Sequence, residues 1–294
     1  MTYTLAIGDR AYSSWSLRGW LMFARFGLPV ETERAAMYTP EFDALVARFG
    51  AARLVPALRI TEDGRDHVLW DTIALAETLA ERHPEAGLWP VEPDLRALAR
   101  SLVGEMHSGF GALRGACPMN LRRAYAGFEA SPEVRADLAR LETLWTLARQ
   151  SRRAPGPWLF GPVTLADVFF APVAARIAGY GLEVGAEARA YVAAHLADPA
   201  FRQWRAMGLA DPLVQATYDL PLPERAWPGP VPLPARAVTD SPPLNAACPF
   251  SGKPVAPDSL AEVAGRVIGF CNPFCRDKVV ADPEAWPAAM ALLR

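Results

Sequence analysis

The chain's 294 residues are 51% hydrophobic and carry 30 basic against 32 acidic side chains, a formal net charge of −2. That length accommodates two domains and a small appendage, the charge balance gives no electrostatic footprint for nucleic acid, and no run approaches the ~18 apolar residues of a membrane span. Four cysteines make no disulfide framework, and the opening "MTYTLAIGDR" has no basic, apolar leader, so the expectation is a soluble cytoplasmic protein.

In chain order, "YTLAIG" reads as a short strand, and residues 14–26 as a helix with Leu17, Trp20, Leu21 and Ala24 at helical spacing. "VETERAAMY" is a candidate second strand. "LVPALRI" and "DHVLW", separated by "TEDGR", read as a hairpin. "DTIALAETLAERHP" follows as a helix opened by Asp71 and Thr72 and stopped by Pro84. Residues 1–84 therefore form a small mixed sheet flanked by helices. From 91 to 210 every pattern is helical, giving an all-α domain. Residues 211–246 hold nine prolines and read as an extended linker or strap, with Trp227 as its point of contact with a domain surface. The tail, 247–294, holds three of the four cysteines and is electrically balanced.

The stretch "RAYSSWSLRGW" places two hydroxyls, Ser13 and Ser14, where the first helix begins. A cap needs only one of them. A helix N-terminus offers unpaired N–H groups and partial positive charge, and a hydroxyl there also donates to a bound anion. For a thiolate, one charge-assisted hydrogen bond of ~1.5–3 kcal/mol lowers a thiol pKa of ~8.5 to about 6.5–7.5. "LVPAL" puts Pro56 at a strand start, where a cis bond leaves the Val55 N–H and C=O free for a peptide ligand. "WDT" sets Asp71 and Thr72 at the next helix start, where a carboxylate, a hydroxyl and backbone N–H groups suit an amino-acid head group.

Over residues 3–210 these features resemble the glutathione transferase family. The resemblance implies a thioredoxin-like N-terminal domain that binds glutathione as co-substrate and a helical C-terminal domain. It also implies a homodimer, a small electrophile as second substrate, and neither a membrane nor a nucleic acid as partner. In serine-type members the catalytic serine opens the first helix, and here it is Ser14, four before Arg18, or Ser13. In the zeta-type pattern "S-S-C" the equivalent is Ser13, with Trp15 in the place of the cysteine. Arg18 supplies either a positive field or a surface or inter-domain ion pair. Pro56 within "VPAL" and Asp71-Thr72 match the family's glutathione contacts. "LFGPVTLADVFFAP" resembles the family's G-x-x-x-T-x-A-D capping motif, in which Thr164 caps a helix and Asp167 reaches back. Met106, His107, Phe110 and Arg114, at near-helical spacing, are candidates to line the second-substrate cleft. Cys117 reads as a small buried hydrophobe.

Cys248, Cys271 and Cys275 are spaced C-x22-C-x3-C, a soft-metal pattern in a reducing compartment. If a helix starts at Cys271, the last two thiols share one side. The surroundings "GRVIGFCNPFC" and "ADPEAW" resemble the TRASH/YHS type of small metal-binding domain, a ββα-like unit with a cysteine knuckle. Ser251 stands where a second knuckle cysteine is expected. A closed Zn(II) site needs four ligands, so the fourth is water, Asp277 or a group from elsewhere, or the ion is three-coordinate, as Cu(I) is. Two functions follow: a glutathione transferase acting through Ser14, or a non-catalytic scaffold of that fold whose tail binds or senses a metal.

Overall fold

Tyr3, Leu5, Ala6 and Ile7 of β1 (Thr2–Ile7) are all buried, as befits a strand covered on both faces. In the computed structural model, which describes residues 1–294, β1 lies inside a four-stranded sheet of order β2-β1-β3-β4. β2 (Glu31–Arg34) pairs with it in parallel, from Thr4 opposite Glu31 to Ile7 opposite Arg34. β3 (Ala57–Glu62) is antiparallel to β1, and β4 (Arg65–Trp70) antiparallel to β3. The predicted hairpin closes through Asp63-Gly64, both at positive φ (50° and 72°), the turn whose twist matches the strands. α1 (Ser14–Ala24) connects β1 to β2, α2 (Pro40–Ala47) follows β2, and α3 (Thr72–Arg82) follows β4. This is the thioredoxin-like domain expected from the sequence.

Helices α4 (Pro93–Ser108), α5 (Gly111–Ala116), α6 (Pro132–Ser151), α7 (Leu165–Tyr180) and α8 (Ala186–Ala197) form the helical part. The stretch 94–114, which reads as one helix, breaks at Gly109-Phe110, where Phe110 takes a left-handed φ of 59°. Every residue of α7 is buried. Its start is the predicted cap: the Asp167 carboxylate accepts the Thr164 N–H at 2.8 Å, the Thr164 hydroxyl at 3.1 Å, the Leu159 N–H at 3.1 Å and the Tyr191 hydroxyl at 2.8 Å.

The contacts divide the chain elsewhere than the sequence patterns do. One compact unit is Met1–Leu196 with Gln215–Pro228, the other Ala197–Val214 with Gly229–Arg294. The proline-rich strap therefore returns to the first unit over Gln215–Pro228. There a two-residue ladder joins β5 (Ala124–Tyr125) to β6 (Glu224–Arg225), and the Trp227 ring lies against α7 at Gly179. The amphipathic helix α9 (Pro199–Ala210), which sequence pattern groups with the 91–210 helices, belongs to the second unit.

That second unit has an antiparallel sheet of β7 (Ala235–Val238), β8 (Leu260–Val263) and β9 (Arg266–Gly269), then α10 (Pro273–Ala281) and the short α11 (Pro287–Met290). The expected ββα pattern thus gains a third strand, taken from what reads as linker. Its core joins Val263, Ile268, Phe270, Val279 and Trp286 to Ala206 of α9. Arg202 of α9 holds Asp282 through two hydrogen bonds of 2.6 and 2.8 Å. No helix is long and apolar enough to cross a membrane.

Candidate active site and thiol cluster

The first unit contains a cleft of about 1280 Å³ that opens at the start of α1. Ser13 is the N-cap of that helix: its hydroxyl accepts the Ser16 N–H at 3.2 Å and donates to the Ser16 Oγ at 2.8 Å, which in turn accepts the Gly8 N–H at 3.0 Å. Ser14 is the first helical residue, lines the cleft, and has no intramolecular hydrogen bond from its hydroxyl. The N–H groups of Ser14 and Trp15 lie ahead of the first helical acceptor, so this end of α1 keeps three donors for a ligand.

Facing them is the Val55–Pro56 peptide, which is cis. Gly19 on the second turn of α1 lets this loop approach: a Cβ there would stand 2.8 Å from the Pro56 Cβ. Glycine is needed at that point for the contact. At the start of α3, Asp71 is the N-cap, accepting the Ile73 N–H at 2.8 Å, while Thr72 is the first helical residue. Asp71 has φ 72° and ψ 129°, a conformation that costs a non-glycine residue about 1–3 kcal/mol and gathers at ligand-binding positions. His107 of α4 braces this corner, with Nε2 3.2 Å from the Asp71 carboxylate and Nδ1 3.5 Å from the Thr72 hydroxyl.

The wall away from the sheet is aromatic and basic. Tyr12, Met119 and Tyr218 line it together with Arg114 and Arg176. Tyr218 comes from the proline-rich strap: its hydroxyl is 2.8 Å from that of Tyr38, and its ring centroid 5.0 Å from that of Tyr12. Burial raises the Tyr218 hydroxyl well above the usual tyrosine range, helped by Tyr38 and Asp9. Gln215 ties the strap down by donating to Asp9 at 3.0 Å and to the Met37 carbonyl at 3.2 Å.

In the second unit, the sulfurs of Cys248, Cys271 and Cys275 lie within 4.8 Å of one another. Cys248 sits in a tight knuckle, its N–H donating to the Lys253 carbonyl at 2.8 Å and its carbonyl accepting the Gly252 N–H at 2.9 Å. α10 starts at Pro273, not at Cys271: Asn272 is its cap and accepts the Cys275 N–H at 2.8 Å. The two thiols do not share one helix face: Cys271 precedes the cap, and the Asn272 side chain that accepts the Cys275 N–H also donates to the Cys271 sulfur at 3.3 Å. Burial works against ionising Cys248, yet the N–H groups of Phe250, Cys271 and Ser251 and the Ser251 hydroxyl bring it down to about 7. Burial and the neighbouring thiols push Cys275 up to about 11. The Ser251 hydroxyl stands 3.2 Å from the Cys271 sulfur, whereas Asp277 pairs with Arg276 at 2.7 Å and lies outside the cluster.

Residues 12–82 match the family model of the glutathione S-transferase N-terminal domain. The chain carries that domain. Among solved structures, maleylacetoacetate isomerase from Anaeromyxobacter dehalogenans 2CP-1, holding dicarboxyethyl glutathione and citrate in its active site, is 29% identical. The match covers 69% of this chain and 94% of that one, with a TM-score of 0.50. A glutathione transferase homolog from Burkholderia gl BGR1 with bound glutathione is 22% identical over 71% of this chain and 98% of its own, TM-score 0.52. FzlA from C. crescentus, 22% identical, covers 76% of this chain and 100% of that one with a TM-score of 0.53. The last two likenesses show the fold. No curated protein sequence matches the chain.

On this glutathione transferase fold, the cleft brings together Ser13, Ser14, Val55, Pro56, Asp71, Thr72 and Arg114. Four residues singled out from sequence lie elsewhere. Arg18 is buried against α7, its Nε donating to the Phe169 carbonyl at 3.2 Å and its guanidinium 4.7 Å from the Trp15 ring. It forms neither an ion pair nor a wall of the cleft, and burial, with Arg176 and Arg114 nearby, brings it down to about 9. Met106 is core on the inner face of α4, Phe110 is core at the left-handed break that follows it, and His107 serves the Asp71 corner. Cys117 is buried as expected, and burial pushes its thiol up to about 12. The sequence reading missed Tyr12, Arg176 and Tyr218. Tyr12 borders the serine pair and was within reach, but Tyr218 sits in a segment whose prolines spoke only of extension.

Proposed function

We propose that the protein is a glutathione transferase in which Ser14, not Ser13, holds the glutathione sulfur. The observation that carries this is the division of labour at the start of α1: the Ser13 hydroxyl is engaged twice with Ser16, and the Ser14 hydroxyl faces the cleft unengaged. The glutathione peptide pairs with the Val55 backbone beside Pro56, and its amino-acid head lies at Asp71 and Thr72. The thiol releases its proton to water, and the Ser14 O–H together with the helix-start N–H groups stabilises the thiolate. The sulfur lone pair then forms a bond to an electrophilic carbon, and the leaving group departs with its electron pair. Conjugation is favoured over isomerisation because Trp15 stands in the position of the zeta-type cysteine. The working form is a cytoplasmic homodimer.

The test is glutathione-dependent turnover of 1-chloro-2,4-dinitrobenzene. Ser14→Ala is expected to lower kcat/KM by about 10- to 100-fold, the value of one charge-assisted hydrogen bond, while Ser13→Ala stays within a few-fold of the parent. Full activity in the double variant overturns the serine mechanism.

The cluster of three sulfurs favours a second, separate role for the tail, binding of a soft metal ion, Zn(II) first. Donors around a tetrahedral zinc stand about 3.8 Å apart, a small contraction from the observed spread. Cys248, Cys271 and Cys275 supply three thiolates, and Ser251, 3.2 Å from Cys271, is the fourth donor. Protein purified without a tag is expected to carry about one ion per chain, lost in Cys248→Ser with a fall in thermal stability. Metal-free native protein whose stability ignores the substitution removes this reading.

A further inference from the structure

Two arginines border the cleft without an anionic partner. Arg176 projects from α7 and is buried. Its Nε donates to the Cys117 carbonyl at 2.8 Å and one terminal nitrogen to the Pro172 carbonyl at 3.2 Å, so no carboxylate answers its charge. Arg114 of α5 donates to the carbonyls of His107 (3.3 Å) and Gly109 (3.2 Å) and lies 5.3 Å from the Trp15 ring, again without an acid. Burial brings Arg176 down to about 10, and the Arg114 charge pushes the same way. Buried charges are ordinarily paired, because an unpaired one carries its full desolvation cost. Two like charges on the wall of one open cleft raise that cost further. Around them, Met119 and Pro118 give apolar surface, and the Tyr12 and Tyr218 rings add flat aromatic faces.

From this arrangement we propose that the second substrate is an electrophile carrying a carboxylate on an apolar body, with the carboxylate held by Arg114 and Arg176. This deepens the transferase reading and rests on it for the identity of the first substrate. Guanidinium groups match a carboxylate in shape and charge and pair with it through charge-assisted hydrogen bonds. The aromatic and apolar walls take the remainder of the molecule. Arg176 is the more deeply buried of the two, and Arg114 is the better residue to change, since it lies in the last turn of a short helix and is only half-buried.

Fluorescence titration reads the site directly. The carboxylated conjugate S-(4-carboxy-2-nitrophenyl)glutathione is expected to bind about tenfold more tightly than S-(2-nitrophenyl)glutathione, an advantage that shrinks with added salt. Arg114→Gln removes most of that preference and Arg114→Lys keeps most of it, each variant first checked for unchanged thermal stability. The free pair 4-nitrobenzoate and 4-nitrotoluene reads the same arginines without glutathione. Equal affinities for the charged and neutral partners, or a preference that survives Arg114→Gln, overturns the proposal. So does an Arg114→Gln effect confined to glutathione itself, which assigns the arginines to the tripeptide's own carboxylate. Failure of glutathione to bind at all breaks the transferase reading instead, and the nitrobenzoate arm still decides this one.

Discussion

Two helix starts in the first unit use the same capping chemistry to opposite ends. At the head of α7, Asp167 is buried and its carboxylate is filled by four donors, leaving no capacity for a ligand. At the head of α1, Ser13 performs the cap and Ser14, one residue on, remains open to the cleft. The contrast is one of saturation. A cap becomes a binding site where the chain supplies one more polar group than the helix end consumes, and where that group faces solvent-accessible space. Both starts read alike as Ser/Thr-led motifs; only the count of donors and acceptors separates them.

The largest expected effect breaks the saturated end. Asp167→Ala strands the Leu159 and Thr164 N–H groups and the Tyr191 hydroxyl in the core, so a loss of about 3–5 kcal/mol is expected in urea unfolding. A loss under about 1 kcal/mol means that the carboxylate is not the keystone of this corner. Ser14→Ala is the counterpart at the open end: it changes turnover by the 10- to 100-fold already given and leaves the unfolding midpoint where it was.

What the sequence made legible follows the same division between local and long-range physics. β1, α1, the Asp63-Gly64 hairpin and the α7 cap are each specified within a dozen residues, by alternation, spacing or turn chemistry, and each stands where the pattern puts it. The thiol cluster was legible as a set, although the cap at Asn272 rather than a shared helix face assembles it. The allegiance of α9 was not legible, because its apolar stripe states that it packs and not against what. Arg18 misled for a related reason: its place one turn past Ser14 is local, but its orientation is set by the Phe169 carbonyl, 151 residues away in the chain. The basic wall of the cleft depends on Arg114 and Arg176, which no sequence window holds together.

A smaller effect probes the ground beneath the α7 cap. The Tyr191 ring that serves Asp167 meets His195 edge-on, 4.6 Å between centroids, and His195 is fully buried with Nδ1 accepting from Arg25 at 3.0 Å and the Trp158 ring centroid 5.0 Å away. Burial, and next the Arg25 charge, hold its pKa well below the usual 6.5. With the folded value depressed, the folded state stays unprotonated while the unfolded chain takes up a proton. The stability from this group is therefore complete above about pH 6.5 and falls as pH drops below it, by about 1.4 kcal/mol per unit. Urea midpoints at pH 7.5 and 5.5 measure the slope; His195→Gln should flatten it, and an unchanged slope assigns the acid sensitivity to other groups.

The smallest expected effect, and the sharpest on the comparison, is Ser13→Ala. Its hydroxyl is a cap plus one link in the Ser13–Ser16–Gly8 chain, so about 1 kcal/mol of stability should go, read as a shift in the urea midpoint without a change in its slope. Turnover per folded molecule should hold, because the helix-start N–H groups and Ser14 are untouched. The opposite pattern, intact stability with lost turnover, means that Ser13 gives up Ser16 when glutathione binds and that the two serines exchange roles. Adjacent hydroxyls at one helix end are then distinguished by which of them the fold can spare, a property set by the Ser16 side chain three residues on and invisible in the serine pair itself.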